Sequence, residues 1–225
     1  MSALPVAAEG LLNETLLAVL RDSQTAIGRP AVGAFAGPGL LVALVGFEDE
    51  RAPLADSALE RLGLCAELPV VSPDRSAADE ERAQMAHDCS RALQDKGACT
   101  LSLPVAAGGL LTTVAWACAP ASGAAVGCAL VLPSPRAVGT AQPAGVRAQL
   151  FHEAAGRFLV AIPAVRYADA MLLATSHGVP RLPLGRTGGS ELVVRASDGG
   201  RAFTEVVRVA LADLTAVLRS PDSMP

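Results

Sequence analysis

"LFHEAAGRFLVAIPAVRYADAMLLATSHGVPRLPLGRTGGSELVV", residues 150–194, changes structural period several times within one stretch. "GRFLVAIP" is an unbroken apolar run of strand length, suited to a strand buried on both faces. "AVRYADAMLLATSHG" places apolar residues at helical spacing and ends on Gly178, a helix stop. "VPRLPLGRTGG" reads as a strand and turn, and "SELVVRA" as a further strand, the two together forming a hairpin over 178–194. Beyond them "SDGG" (197–200) predicts a tight turn, "RAFTEVVRV" pairs back, and "ALADLTAVLRS" closes the chain with a helix. Strands and helices joined by short loops predict an α+β domain layered α/β/α, with a mixed sheet flanked by helices.

The same alternation continues towards the N-terminus. Residues 10–21 predict a short amphipathic helix and "LLVALVGF" (40–47) a buried strand, while "LADSALERLG" (54–63) is a short helix. A helix over 77–95 is capped by Ser76 and stopped at Gly97. "CTLSLPV" (99–105) predicts a strand, "GGLLTTVAWACA" (108–119) a helix entered through two glycines, and "GAAVGCALVLP" (123–133) a strand. Residues 134–149, rich in Pro, Gly and Ala, read as a linker loop. The division is a helix and linker over 1–35 and one domain over 36–220.

Composition narrows the functions available. The chain has 225 residues, half of them hydrophobic and only 3% aromatic, so its core is built from Ala, Val and Leu. A formal charge of −4 argues against a nucleic-acid partner, which calls for a basic face. No apolar run reaches the roughly 20 residues of a membrane span, and "MSALPVAAEGLLNETLL" (1–17) lacks the basic flank of a secretory signal. Five cysteines (Cys65, Cys89, Cys99, Cys118 and Cys128) form no CxxC pair and read as buried free thiols. A cytoplasmic protein is the expectation.

"MAHDCSRAL" (85–93) sets a histidine, an aspartate and a cysteine side by side in a chain with three histidines. At ~100° per residue Cys89 lies roughly 200° around the helix from His87. The thiol therefore faces the core with Met85, Ala86, Ala92 and Leu93, and His87 faces outward with Glu80, Arg91 and Gln94. The two cannot share a metal or a proton. Asp88 is expected to pair with Arg91 along the helix, and no metal site is expected.

The spaced pattern of the last third resembles the C-terminal domain of phosphoribosylformylglycinamidine synthase, shared with aminoimidazole ribonucleotide synthetase. The family pattern is Phe-x-Glu-x-x-Gly-Arg, a strand, a helix, Gly-Val-Pro and Gly-Arg-x-Gly-Gly. It falls here on Phe151, Glu153, Gly156 and Arg157, then Gly178, Val179 and Pro180, then Gly185, Arg186, Gly188 and Gly189. Fainter likeness reaches upstream through "GPGLLVALVG" (37–46) and "PLADSALERLG" (53–63). The resemblance implies a three-layer domain like the aminoimidazole ribonucleotide synthetase C-terminal domain, with partial likeness to a ferredoxin-type topology.

The departures concern chemistry. Where the family carries Ala-His-Asp-(Val/Cys)-Ser-Asp-Gly-Gly-Leu, this chain reads "LPVAAGGL" (103–110). Leu103 and Pro104 stand for His-Asp, Ala106 and Ala107 for Ser-Asp, and only Gly108 and Gly109 remain. The family's Gly-Gly-Ser-Glu loop is reduced to Ala55-Asp56-Ser57-Ala58. "AHDCS" (86–90) matches the lost motif in letters but sits mid-helix, and "SDGG" joins two strands. The family's separate ATP domain has no counterpart here, for residues 1–35 contain no P-loop and no aspartate cluster.

The remaining polar candidates each keep two readings. Glu153 and Arg157 either line a cleft or form a local ion pair, and Arg186 with Gly188 and Gly189 either presents donors to an anion or shapes a β-turn. Ser57 and Asp56 retain a phosphate contact or serve the loop alone. His152 and His177 are expected on the surface and Trp116 in the core, and the 208–219 helix either docks a partner or covers its own sheet. No catalytic residue and no cofactor is expected on this chain, with ATP and magnesium held only through a partner. The resemblance implies a non-catalytic or partner-dependent assembly subunit, bound to another protein or to its own copies. The alternative is one piece of a split ATP-dependent synthase completed by a separate ATP-binding and glutaminase subunit.

Overall fold

The computed structural model describes residues 7–27, 33–47, 57–65, 76–105, 107–120, 123–133, 142–197 and 203–219. Seven strands form one mixed sheet: β1 (Leu41–Gly46), β2 (Leu101–Pro104), β3 (Cys128–Leu132), β4 (Arg157–Ile162), β5 (Arg181–Thr187), β6 (Glu191–Ser197) and β7 (Phe203–Ala210), in the order β2-β4-β1-β5-β3-β6-β7. The helices are α1 (Ala7–Ile27), α2 (Ala58–Arg61), α3 (Ala77–Asp95), α4 (Gly109–Cys118), α5 (Gln142–Phe151), α6 (Tyr167–Ser176) and α7 (Leu211–Arg219). The predicted α+β class, a mixed sheet flanked by helices, is the observed one.

The sheet's period of two divides the apolar residues between two cores. On β1, Val42 and Leu44 join the larger core, while Ala43 and Val45 join the smaller. On β4, Leu159 and Ala161 face the larger core and Phe158, Val160 and Ile162 the smaller, which is why all six residues of β4 are buried. Helices α1, α2, α4, α5 and α7 contribute to the larger core. Helices α3 and α6 cover the opposite face over β1 and β4. Helix α1 also covers the sheet edge: Asn13 Nδ2 donates to Arg208 O (2.9 Å), and Arg208 N donates to Asn13 Oδ1 (3.0 Å). One side-chain amide thereby occupies an edge-strand donor and acceptor that would otherwise stay open.

Helix α3 starts and stops where its residue types dictate. Asp79 N donates to Ser76 Oγ and Ser76 N donates back to Asp79 Oδ2, closing a capping box. Gly97 at φ 58° ends the helix, and Ala98 N donates to Leu93 O (2.9 Å). Cys89 is buried and His87 exposed, as the helical wheel requires, and all five cysteines are buried free thiols. The expected Asp88–Arg91 pair is not formed. Asp88 Oδ1 accepts from Gln84 Nε2 (3.0 Å), one turn towards the N-terminus, and Arg91 lies against His87 instead.

Three further expectations are corrected. The supposed 178–194 hairpin does not exist, because β3 lies between β5 and β6, antiparallel to the first and parallel to the second. Gly127 wedges into the turn that separates them: Gly188 N donates to Gly127 O (2.7 Å) and Gly127 N to Gly189 O (3.1 Å). Part of the supposed linker over 134–149 is helix α5, with Pro143 in its first turn, where a missing N–H costs nothing. His152 is buried rather than on the surface, its Nδ1 donating to Ala148 O (3.0 Å). The turn at 198–200 lies outside the described residues, although β6 and β7 pair antiparallel on either side of it.

Candidate functional site

The polar residues singled out in the sequence fall into two groups at opposite ends of β1. Gly46 at its C-terminal end pairs with Arg157, while Leu41 at its start pairs with Arg186. At roughly 3.3 Å per residue these positions are about 17 Å apart. Glu153, Arg157, Ser57 and the 103–109 junction gather at one end, and Arg186, Gly188 and Gly189 at the other.

Glu153 organises the first group. It lies two residues beyond the end of α5, and its Oε1 accepts from Gly108 N (2.7 Å) and from Ala58 N (2.8 Å). Gly108 is the N-cap of α4 and offers no side-chain cap of its own, while Ala58 is the first residue of α2. One carboxylate oxygen thus satisfies an orphan amide at the start of each of two helices, where negative charge is also favoured. Ser57 is buried as the N-cap of α2, accepting from Glu60 N (3.3 Å). Asp56 and Ala106 lie outside the described residues.

The two glycines at the junction are required by space as well as by torsion. Gly108 has φ 81° and Gly109 φ 72°, conformations that a side chain resists. A Cβ on Gly109 would lie 2.5 Å from the Phe151 carbonyl carbon, and one on Gly108 2.5 Å from Thr112 Oγ1. Helix α4 therefore enters hard against the end of α5, which is how Glu153 comes within reach of Gly108. Gly156 is likewise pressed on α3: φ is 76°, and a Cβ there would lie 2.7 Å from Ala83 Cα.

Arg157 is buried within β4, donating from its guanidinium to His152 O (2.7 Å), while its own carbonyl accepts from Val105 N (2.8 Å). Glu153 is not bonded to it; the carboxylate is directed to the two helix starts. The side chains of the junction are hydrocarbon. Leu103 is buried in the larger core opposite Leu159, Pro104 is exposed at the edge of the sheet opposite Phe158, Val105 is buried, and Ala107 is half-buried.

At the other end, Arg186 is exposed on β5, and Gly188 and Gly189 have φ 147° and 78°. The Gly188 amide is engaged by Gly127 O. This end is closed further by Thr187, whose Oγ1 accepts from Leu40 N (3.0 Å) and donates to Gly37 O (2.8 Å). Trp116 is buried, as expected, and His177 is half-buried. Among the described residues no group of three or more His, Cys, Asp or Glu side chains is placed to hold a metal ion. No described helix is long and apolar enough to cross a membrane.

The sequence offered no signal for Ala58 and His152, which contribute a backbone N–H and a backbone C=O. Glu153 itself was visible, as the glutamate of the Phe-x-Glu-x-x-Gly-Arg pattern.

No protein-family model matches the chain, and no curated protein matches it. Solved structures do. Thermotoga maritima PurL complexed with FGAR superposes with a TM-score of 0.58 at 15% identity, over 82% of this chain and 29% of that one. PurL from the same organism complexed with ATP gives 0.54 at 14% identity, over 82% and 27%. Phosphoribosylformylglycinamidine synthase II from T. maritima gives 0.53 at 15% identity, also over 82% and 27%. The likeness is one of fold, and the chain spans less than a third of the length of these proteins.

Proposed function

We propose that this chain is a non-catalytic or partner-dependent domain related to phosphoribosylformylglycinamidine synthase, acting as an assembly or binding subunit. One contrast carries the reading. The family-like residues that persist have backbone duties here: Gly108 and Gly109 turn the chain into α4, Gly156 admits α3, Glu153 ties two helix starts together, and Arg157 braces His152 O. At the 103–110 junction the positions that depart from the family pattern are those of the ionisable and hydroxyl side chains, now Leu103, Pro104, Ala106 and Ala107. At this junction what has been kept is scaffold, and what has been replaced is chemistry.

Burying a phosphorylated substrate's charge against hydrocarbon costs several kcal/mol without compensating donors. The Gly108 amide, a donor this junction retains, already serves Glu153. Equilibrium dialysis of the purified chain against magnesium-ATP and formylglycinamide ribonucleotide tests the reading. No binding is expected at micromolar concentration, and micromolar binding of either ligand would contradict it.

A second reading draws on coverage: the similar PurL chains are more than three times as long as the stretch they share with this one. The chain would then be one piece of a split synthase, with ATP, magnesium and glutaminase supplied by a separate polypeptide. ATP-dependent conversion of the amide substrate by a reconstituted pair, absent from either chain alone, would support this over the assembly reading.

A further inference from the structure

Helices α3 and α6 cover their face of the sheet on the β4–β1 side, and the register shows what lies beside them. Residues paired across strands point to one side. Leu41, packed on the smaller core, pairs with Arg186, and the same row runs on through Ala129 and Val193 to Arg208. The next row on that face starts at Ala43 and holds Pro183, Val131, Arg195 and Glu205. Beyond β1, Val193 is buried and Glu205 half-buried, and the other side chains of both rows are exposed. Glu205 pairs with Arg195 and Arg208, and Glu191 pairs with Arg208. Arg186, and Arg181 opposite Val45 on the same face, have no ion pair among the described residues. Four arginines against two glutamates make this open half-face basic in a chain whose formal charge is −4.

The outer surface of the helix layer is its counterpart. Helix α6 buries Ala170 and Ala174 and turns Ala168 and Leu172 outward, together with Val165 in the preceding turn. Val165 is 87% and Leu172 70% exposed. On α3, Glu81, Asp88 and Asp95 recur every seven residues on the exposed stripe opposite Ala86 and Leu93. Helix α3 packs on β2, β4 and β1, while α6 carries the chain from β4 across β1 to β5, so α6 borders the open strands. A sheet face half covered in this way is a step one helix diameter, ~10 Å, high. Such a step is complementary to itself under a two-fold axis along its edge.

We propose that the open β5-β3-β6-β7 face is a dimer interface, filled by the α3–α6 layer of a second copy of this chain, each copy covering the other. In that arrangement the apolar stripe of α6 meets the Pro183 and Val131 region of the second copy. The α3 carboxylates, one helix further from the step, come over the strands that carry Arg195 and Arg208. Apolar surface thus meets apolar surface, and acid meets base. Four strands at about 4.8 Å and five residues at about 3.3 Å give a patch of roughly 320 Å². Each copy contributes one sheet patch and one helix patch, so about 1,300 Å² is buried in all, within the range of specific interfaces. The proposal rests on the assembly reading above and names its partner. A monomeric chain would remove the dimer and leave that reading standing, whereas ligand binding in dialysis would remove the reading.

Sedimentation equilibrium on the intact chain reads the outcome, and a dimer is expected at micromolar concentration. Val165→Asp with Leu172→Asp should weaken it at least about tenfold, because two carboxylates would be buried against the sheet. Arg181→Glu with Arg186→Glu should weaken it too, by setting acid against acid. Adding Glu81→Arg and Asp88→Arg to that second chain should recover the dimer, since both patches have then exchanged sign. All six positions are exposed, so circular dichroism should show the fold unchanged. A chain still monomeric at about 100 μM, where interfaces of this size associate, would overturn the proposal. So would a larger assembly, or a dimer that neither pair of substitutions weakens. If a variant fails to fold, hydroxyl-radical footprinting of the unsubstituted chain decides. Val165 and Leu172 should become protected as concentration rises, and a dimer that leaves both reactive would refute the interface.

Discussion

Replacing Glu153 should loosen two parts of the chain that lie far apart in sequence. Its Oε1 holds Gly108 N at 2.7 Å and Ala58 N at 2.8 Å. Hydrogen bonds to a charged acceptor contribute about 1.5–3 kcal/mol each. Glu153 is half-buried, so water can partly replace it, and the lower end of that range applies. Glu153→Ala should then cost about 2–4 kcal/mol, a fall of roughly 5–15 °C in Tm for a chain of this size. Glu153→Gln keeps a carbonyl acceptor at the same place and loses only the charge facing two helix starts, about 1 kcal/mol. Thermal and urea unfolding followed by circular dichroism measure both. Hydrogen exchange should show the Gly108 and Ala58 amides losing protection together in Glu153→Ala. A Tm within a degree of the unsubstituted chain, or a Gln variant as damaged as the Ala variant, would show that the shared cap is not what holds this junction.

Two other outcomes follow from the geometry. Gly109→Ala should be far more damaging than Gly123→Ala, since both have positive φ (72° and 97°) but a Cβ meets the Phe151 backbone at the first and open space at the second. The strained torsion alone costs roughly 1–2 kcal/mol at either site, so comparison of their urea midpoints isolates the overlap. Stability should also fall at high pH, because burial pushes the Cys89 and Cys99 thiols up to about 11. Unfolded thiols ionise near ~8.5, so their contribution is intact below that pH and is lost as pH rises towards 11, by up to a few kcal/mol. Urea midpoints measured across this window should decline less in a Cys89→Ala, Cys99→Ala double variant.

Periodicity carried most of the fold. β1, β4 and α3 are legible because their apolar spacing, and for α3 its Ser76 and Gly97 ends, admit one regular structure each. Helix α5 was hidden by Pro143 and Gly145, whose loop-like composition is tolerated once Val146 and Leu150 are buried against α4. Strand order was hidden for another reason. Neighbours in sequence usually pair in space, and nothing local in β5 or β6 reveals that β3 will part them. For the site, residue types showed what the junction had lost, but not that Glu153 reaches positions 58 and 108, because its partners there are amides that every residue possesses.

The placement of β1 bears on how the protein is made. Residues 41–46 leave the ribosome before their partners on either side, residues 157–162 and 181–187. Until those partners are made, Val42, Leu44 and Val45 form an apolar segment with neither flanking strand available. Such a segment invites pairing with the wrong chain. A nascent or truncated product ending before residue 157 lacks both strands that flank β1, so its handling should depend on what shields β1 until β4 and β5 arrive.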